Sequence, residues 1–222
     1  AGRIRAANPD ARILIALRDP VAAVVSWYHQ MRDGFREDLP TFAAAWAAQG
    51  DRARGHGLPA YCPAPLQLQY RAIYLFHDQV ARFFDAFGPD AVHIVLQEDL
   101  AADPGGTARG IAAFLGIDPD GLPAEVPRAN RRRAPRFPLL AQTIAAPPPA
   151  LRPLVRPAKA VLNRAGIRPS EVMMRRLSRP APPAEGDLSP ALRSELCAAF
   201  AGDVARLSTL IDRDLSHWCR PA

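Results

Sequence analysis

Arg18 directly follows the apolar run Ile13 to Leu17 and directly precedes Asp19 and Pro20. Eight residues on, Ser26 opens the triplet Ser26-Trp27-Tyr28. A guanidinium presents a rigid fork of donors that matches a phosphate group. A serine two turns into the next helix adds a hydroxyl, and the helix N-terminus nearby favours negative charge. The chemistry these types support at this spacing is anion binding. A plainer reading uses the same residues: Arg18 pairs with Asp19, and Ser26 bonds back to its own helix.

A second concentration of charge lies further along. Arg128, Arg131, Arg132, Arg133 and Arg136 are interleaved with Asn130 and Pro135. This cluster reads either as a second anion contact or as a solvated basic loop. For proton transfer, His29, His56 and His77 qualify by residue type. His56, in Gly55-His56-Gly57, sits in a loop able to reach a ligand, while His77 falls on the polar side of a helix. Glu98 and Asp99 follow a strand and read as a turn and a helix cap. Cys62, Cys197 and Cys219 show no paired metal-ligand spacing, so no metal is expected.

These residues need elements to hold them. Residues 12–17 are almost wholly apolar, as in a strand buried on both faces of a parallel sheet. Asp19 suits an N-cap and Pro20 the first helical position. Val21, Val24, Val25 and Tyr28 then recur at helical spacing until Gly34. Arg18 therefore falls at the carboxyl end of a strand, where open α/β sheets bind ligands. A helix is expected over Thr41 to Ala48, and a Gly/Pro-rich loop over Gly50 to Pro65. One long amphipathic helix is expected from Leu66 to Phe87, with Tyr70, Ile73, Phe76, Val80, Phe83, Phe84 and Phe87 on one face. Val92 to Leu96 reads as a second buried strand and Pro104 to Leu115 as a helix closed by Gly116. Weaker helical patterns cover Phe137 to Ile144 and Leu151 to Ala165. Residues 178–187 read as an exposed linker, before a last helix over 189–211 with Leu192, Leu196, Phe200, Val204, Leu207 and Leu210 buried. The whole chain, 1–222, reads as a single domain of α/β class with a parallel sheet.

Composition narrows the partners. A net charge of +6 and a pI near 9.9 favour anionic ligands. Almost all the positive charge is arginine, and Lys159 is the sole lysine; arginine-rich coding bias accounts for this as readily as phosphate binding does. No apolar run approaches the roughly 20 residues of a membrane span. The stretch Ala1 to Ala7 has no apolar core of the kind a secretion signal needs. An odd cysteine count without such a signal favours reduced thiols in a cytoplasm.

Arg18-Asp19-Pro20 with Ser26-Trp27-Tyr28 resembles the 3′-phosphate motif of sulfotransferases that use 3′-phosphoadenosine 5′-phosphosulfate. Further matches follow in the family's order. They are Tyr74 to Phe84, Val92 to Leu100, Asp103-Pro104, Phe114-Leu115-Gly116-Ile117, and a tail from Leu188-Ser189-Pro190 through Leu210-Ile211 to Asp214-Leu215 and Trp218. They cover most of 10–136 and 188–218. The resemblance implies a P-loop NTPase-like three-layer fold, the donor as co-substrate, and sulfuryl transfer to a hydroxyl or amine on a small-molecule or glycan acceptor. It implies that Arg18 and Ser26 hold the donor's 3′-phosphate. It extends loosely to Asn130, Arg132 and Arg133, since relatives close a basic segment over that phosphate, although a clean Arg-Lys-Gly is lacking here.

The sequence also departs from the family. Relatives carry a Lys- and Gly-containing loop for the phosphosulfate, and nothing before Ala11 matches it. The fold is therefore expected to be N-terminally incomplete, with little turnover by this chain and activity in a longer version. An uncovered apolar sheet edge is then expected, for which a homodimer contact is one cover. Gln97 stands where many relatives have tyrosine. An alternative is a non-catalytic binder of nucleotides or polyanions. Nucleic-acid binding rests on charge alone, with no aromatic interleaving.

Overall fold

Strands β1 (Ile13–Leu17) and β2 (Val92–Leu96) pair in parallel, from Ile13 opposite Val92 to Leu17 opposite Leu96. The computed structural model describes residues 1–60, 62–121, 133–135, 178–180 and 188–219. Side chains alternate along a strand, so opposed residues share a face. One face carries Leu14 and Ala16 with His93 and Val95; the other carries Ile13, Ile15 and Leu17 with Val92, Ile94 and Leu96.

Helices pack on both faces, but Leu14, 45% exposed, and Ala16 leave β1 open on one of them rather than buried on both as expected. On the first, α8 (Pro104–Leu115) stacks Phe114 on His93 with ring centroids 5.1 Å apart. Arg12 lies 5.7 Å from the centre of the same Phe114 ring and donates to the Phe114 carbonyl. On the second, α6 (His77–Phe87) and α9 (Pro190–Leu210) pack together. There Phe84, Leu210 and Ile211 line a cleft with Val92, Ile94 and Leu96. Helix, parallel sheet and helix form the three layers that the resemblance implied.

Each helix end has a local cause. Asp103 Oδ1 accepts from Gly106 N–H at 2.7 Å, and Pro104 sits at the first position of α8. Gly116, at φ 71°, closes that helix, a conformation that penalises any Cβ. Ser189 Oγ accepts from Leu192 N–H at 3.2 Å ahead of α9, with Pro190 first in the helix. The expected stripe of α9 is buried at Leu196, Phe200, Val204 and Leu207.

The single helix expected from Leu66 to Phe87 is three pieces: a 3₁₀ turn (Pro65–Leu68), α5 (Tyr70–Ile73) and α6. The break has a distant cause. Buried Asp203 on α9 accepts from Phe76 N–H at 2.6 Å and His77 N–H at 3.1 Å. The Gln79 amide donates to the Ile73 and Leu75 carbonyls at 2.9 and 2.8 Å. These side chains replace the backbone partners a continuous helix would supply. Asp203→Ala removes this cap, and loss of a capping carboxylate costs about 1–2 kcal/mol. A urea melt is expected to show that loss, with a smaller one for Asp203→Asn.

The turn expected at Glu98 and Asp99 is a helix, α7 (Gln97–Ala102), gripped by the C-terminal segment. Glu98 Oε1 accepts from Trp218 Nε1 at 2.8 Å and lies 2.9 Å from His217 Nε2. Arg213 reaches both oxygens of Asp99 at 3.1 Å. Their role is structural, as expected. A further helix, α1 (Gly2–Ala7), precedes β1.

By their contacts, Ala1–Val24, Arg71–Ala129 and Leu188–Ala222 form one unit, and Val25–Tyr70 with Asn130–Asp187 a second. The boundary falls within α2 (Pro20–Asp33). All the contacts above lie in the first unit. In the second, α3 (Phe42–Ala47) starts at Thr41, whose Oγ1 accepts from Ala44 N–H at 3.2 Å. Helix α4 (Gln49–Ala53) occupies the start of the expected Gly/Pro loop. Tyr28, Phe42 and Tyr70 meet edge to face with centroids 5.6 to 6.3 Å apart. Also here, β3 (Arg133–Pro135) pairs antiparallel with β4 (Ser178–Pro180), within the expected linker. The rest of that linker and the helices expected over 137–165 lie outside the described residues.

Candidate functional site

Arg18 is the first residue after β1 and stands two before α2, half-buried. The strand ends there because Asp19 takes up the cap: its Oδ1 accepts from Val21 N–H at 2.8 Å. A charged side chain is thereby fixed at the carboxyl end of a parallel strand and beside a helix N-terminus. In the same unit, the Tyr74 hydroxyl is pushed up to about 12 by burial, while the nearby positive charge of Arg18 opposes that shift.

Asp19 feels competing influences. Burial raises its carboxyl above the ordinary range; the Val21 and Ala22 N–H groups, then Arg193 and last Arg18, act against it. Arg18 is the chain neighbour of Asp19, yet Arg193, from α9, stabilises the carboxylate more. Two thiols border this turn: burial raises both Cys197 and Cys219, the latter to about 11, and each feels the Asp19 charge. Neither is activated as a nucleophile.

Ser26 lies partly exposed in α2, within the second unit. Among the described residues its hydroxyl shows no hydrogen bond back to the helix. Asn130 and Arg132 lie outside the described residues, and Arg133 is described only as backbone in β3. The loose extension of the anion site to that segment gains nothing from the fold.

The histidines separate by surroundings. His56 is exposed between Gly55 (φ 86°) and Gly57 (φ 61°). His77 Nδ1 lies 2.7 Å from Asp78 Oδ1 at the start of α6, rather than mid-helix as expected. His29 is buried, edge-on to Tyr28. Among the described residues no group of three His, Cys, Asp or Glu is placed to hold a metal ion. No helix among them is long and apolar enough to cross a membrane.

The second unit carries a buried polar cluster that no motif signalled. Arg52 meets Glu37 through two bonds, Nη1 to Oε2 at 2.6 Å and Nη2 to Oε1 at 2.7 Å. The Tyr70 hydroxyl donates to Glu37 Oε2 at 2.6 Å, and Leu39 N–H to Oε1 at 2.8 Å. Arg52 Nε donates to the Gly57 carbonyl at 3.3 Å. Burial opposes ionisation of Glu37. The Arg52 guanidinium, the Tyr70 hydroxyl and the Leu39 N–H outweigh it and hold the carboxyl below its ordinary range. Four donors saturate this carboxylate, so it is not available as a base. It anchors both ends of the segment that carries His56.

The profile described as the sulfotransferase family matches residues 1–121 of the chain. Among solved structures, the chain is similar to a sulfotransferase from Alicyclobacillus acidocaldarius, at 30% identity and a TM-score of 0.63. That match covers 99% of this chain and 62% of the other, so this chain spans under two thirds of the relative's length. No curated protein matches the chain.

Proposed function

The chain belongs to the sulfotransferase family, and from that premise we propose that it binds 3′-phosphoadenosine 5′-phosphosulfate and transfers its sulfuryl group to a hydroxyl or amine. The observation that carries the donor reading is the position of Arg18. It stands at the carboxyl end of a parallel strand, beside the Asp19-capped start of α2. A helix N-terminus favours an anion at that position, and a guanidinium is suited to grip a phosphate through two aligned donors. Ser26 is proposed as the second ligand of the 3′-phosphate, on the strength of the motif. Asn130, Arg132 and Arg133 remain weaker candidates for closing over it.

In this reading the chain's residues work by positioning. Arg18 fixes the nucleotide, which aims the phosphosulfate at the acceptor. Stabilising the charge that develops on the leaving oxygens needs further cationic or N–H groups. Lys159 is the sole lysine, and it is not near the matched motifs in sequence. The second reading is a nucleotide-binding protein without transfer. The acceptor side is proposed to lie in the segments 35–65 and 140–187, and the base is left unassigned among His29, His56 and His77.

Transfer of labelled sulfur from the donor to a panel of phenols, amines and glycans distinguishes the readings. Labelled product that disappears in Arg18→Ala supports transfer. Tight binding of adenosine 3′,5′-bisphosphate with no labelled product supports the second reading. Absence of both removes the donor from the account.

A further inference from the structure

We propose that the cleft between α6, β2 and the end of α9 binds a free apolar α-amino acid, with its ammonium at Asp212 and its carboxylate at Arg213. The inference does not rest on the donor-site reading, and Arg18 is not among the residues that line this cleft.

The cleft has a volume of about 380 Å³, inside the range of roughly 300–1,000 Å³ common for small-molecule sites. Its walls are apolar: Phe84, Val92, Ile94, Leu96, Leu210 and Ile211. Four of these, Phe84, Ile94, Leu210 and Ile211, stay half-buried, so α6 and α9 do not close over this part of the sheet. An apolar side chain entering the cleft takes that surface out of water.

Two opposite charges, Asp212 and Arg213, line the same cleft side by side. Asp212 lies just past the end of α9 and takes φ 51°, a left-handed conformation. The turn is pinned to the helix behind it. Arg213 N–H donates to the Ser208 carbonyl at 3.1 Å, and the Ser208 hydroxyl donates to the Arg213 carbonyl at 2.5 Å. Backbone held in such a conformation by its surroundings is a recurrent feature of ligand sites. Arg213 is half-exposed and meets Asp99 through Nη2 alone, at 3.1 Å to both oxygens. Its Nε and Nη1 make no hydrogen bond among the described residues, and neither does the exposed Asp212 carboxylate. A ligand with only a positive charge is opposed by Arg213, and one with only a negative charge by Asp212. A head group that carries both charges satisfies both residues through charge-assisted hydrogen bonds. An apolar α-amino acid joins that head group to a tail that fits the walls.

The test is calorimetric titration of the full chain with L-phenylalanine. Two analogues accompany it: 3-phenylpropionate, which lacks the ammonium, and 2-phenylethylamine, which lacks the carboxylate. The amino acid is expected to bind, and each analogue to bind about tenfold more weakly, for one charge-assisted hydrogen bond lost. Asp212→Asn and Arg213→Met should each weaken L-phenylalanine binding by a similar factor. Both variants should fold, because Asp212 is exposed and the Arg213–Asp99 pair is a surface one. Asp212→Gly should lose affinity while its ligand-free melting point rises, since glycine takes a positive φ without strain. Arg206→Met, an exposed change elsewhere on α9, should leave affinity unchanged. Failure of the folded wild type to bind L-phenylalanine overturns the proposal. Equal affinity for 3-phenylpropionate overturns the amino-acid class and makes the cleft a site for apolar anions. Affinity untouched by Asp212→Asn and Arg213→Met places the amino acid elsewhere and overturns it too. None of these results alters the donor reading, which titration with adenosine 3′,5′-bisphosphate tests separately.

Discussion

Arg52→Ala is expected to lower the stability of the second unit by roughly 3–5 kcal/mol, the usual consequence of removing one partner from a buried ion pair. Both side chains are fully buried, at 0% exposure, so the Glu37 carboxylate left behind has no water to turn to. It keeps the Tyr70 hydroxyl and Leu39 N–H, but loses the counter-charge and two hydrogen bonds. Arg52 also loses its hold on the Gly57 carbonyl, so the loop bearing His56 loosens as well. Glu37→Gln should cost less than Arg52→Ala, since the amide oxygen can still accept from Tyr70 or Leu39. The double change Glu37→Met with Arg52→Met should cost less than the sum of its parts, because no charge is then stranded. Chemical denaturation of these three variants and of the two single Met changes checks the order. The acid limb provides a second readout. Glu37 has a folded pKa below its ordinary value, so its contribution is fully present above that ordinary value, about 4.3. It is lost as pH falls through the lower folded value. Glu37→Gln should flatten that part of the stability profile and leave neutral pH as the main site of its cost.

Arg18→Ala is expected to weaken adenosine 3′,5′-bisphosphate binding about 100-fold, from two charge-assisted hydrogen bonds worth about 1.5 kcal/mol each. The fold itself should survive, because Arg18 is half-buried at a strand end and the Asp19 cap does not depend on it. Arg18→Lys should recover only part of the loss, since an ammonium offers no planar fork. Raising salt should weaken the wild type more than Arg18→Ala, one charge having been removed from the contact. Ser26→Ala should weaken binding by a smaller factor, about fivefold to tenfold, for one neutral hydroxyl. An effect of Ser26→Ala larger than that of Arg18→Ala would contradict the assignment of the main grip.

The elements around Arg18 were legible because their signals are local. An apolar run, an Asp-Pro start and a glycine stop lie within about 20 residues, and each acts on its own neighbours. The same holds for Asp103-Pro104 with Gly116, and for Ser189-Pro190. The break in the expected 66–87 helix was not legible, because its cause is Asp203, 127 residues beyond Phe76. An apolar stripe at helical spacing survives such a break, since each piece still buries its share of the same face. The helix at Gln97–Ala102 was hidden in a similar way, by partners from the tail: Trp218, His217 and Arg213 reach back to Glu98 and Asp99. The Glu37–Arg52–Tyr70 cluster has no periodic signature, for its members are 15 and 33 residues apart and converge only through tertiary folding.

The central claim is that the end of β1 recognises a nucleotide by its 3′-phosphate. Its most direct measurement is a pair of calorimetric titrations of the wild-type chain, with adenosine 3′,5′-bisphosphate and with adenosine 5′-monophosphate. The account predicts that the bisphosphate binds at least tenfold more tightly and that this preference vanishes in Arg18→Ala. Equal affinity for the two nucleotides, or a preference untouched by Arg18→Ala, would contradict it.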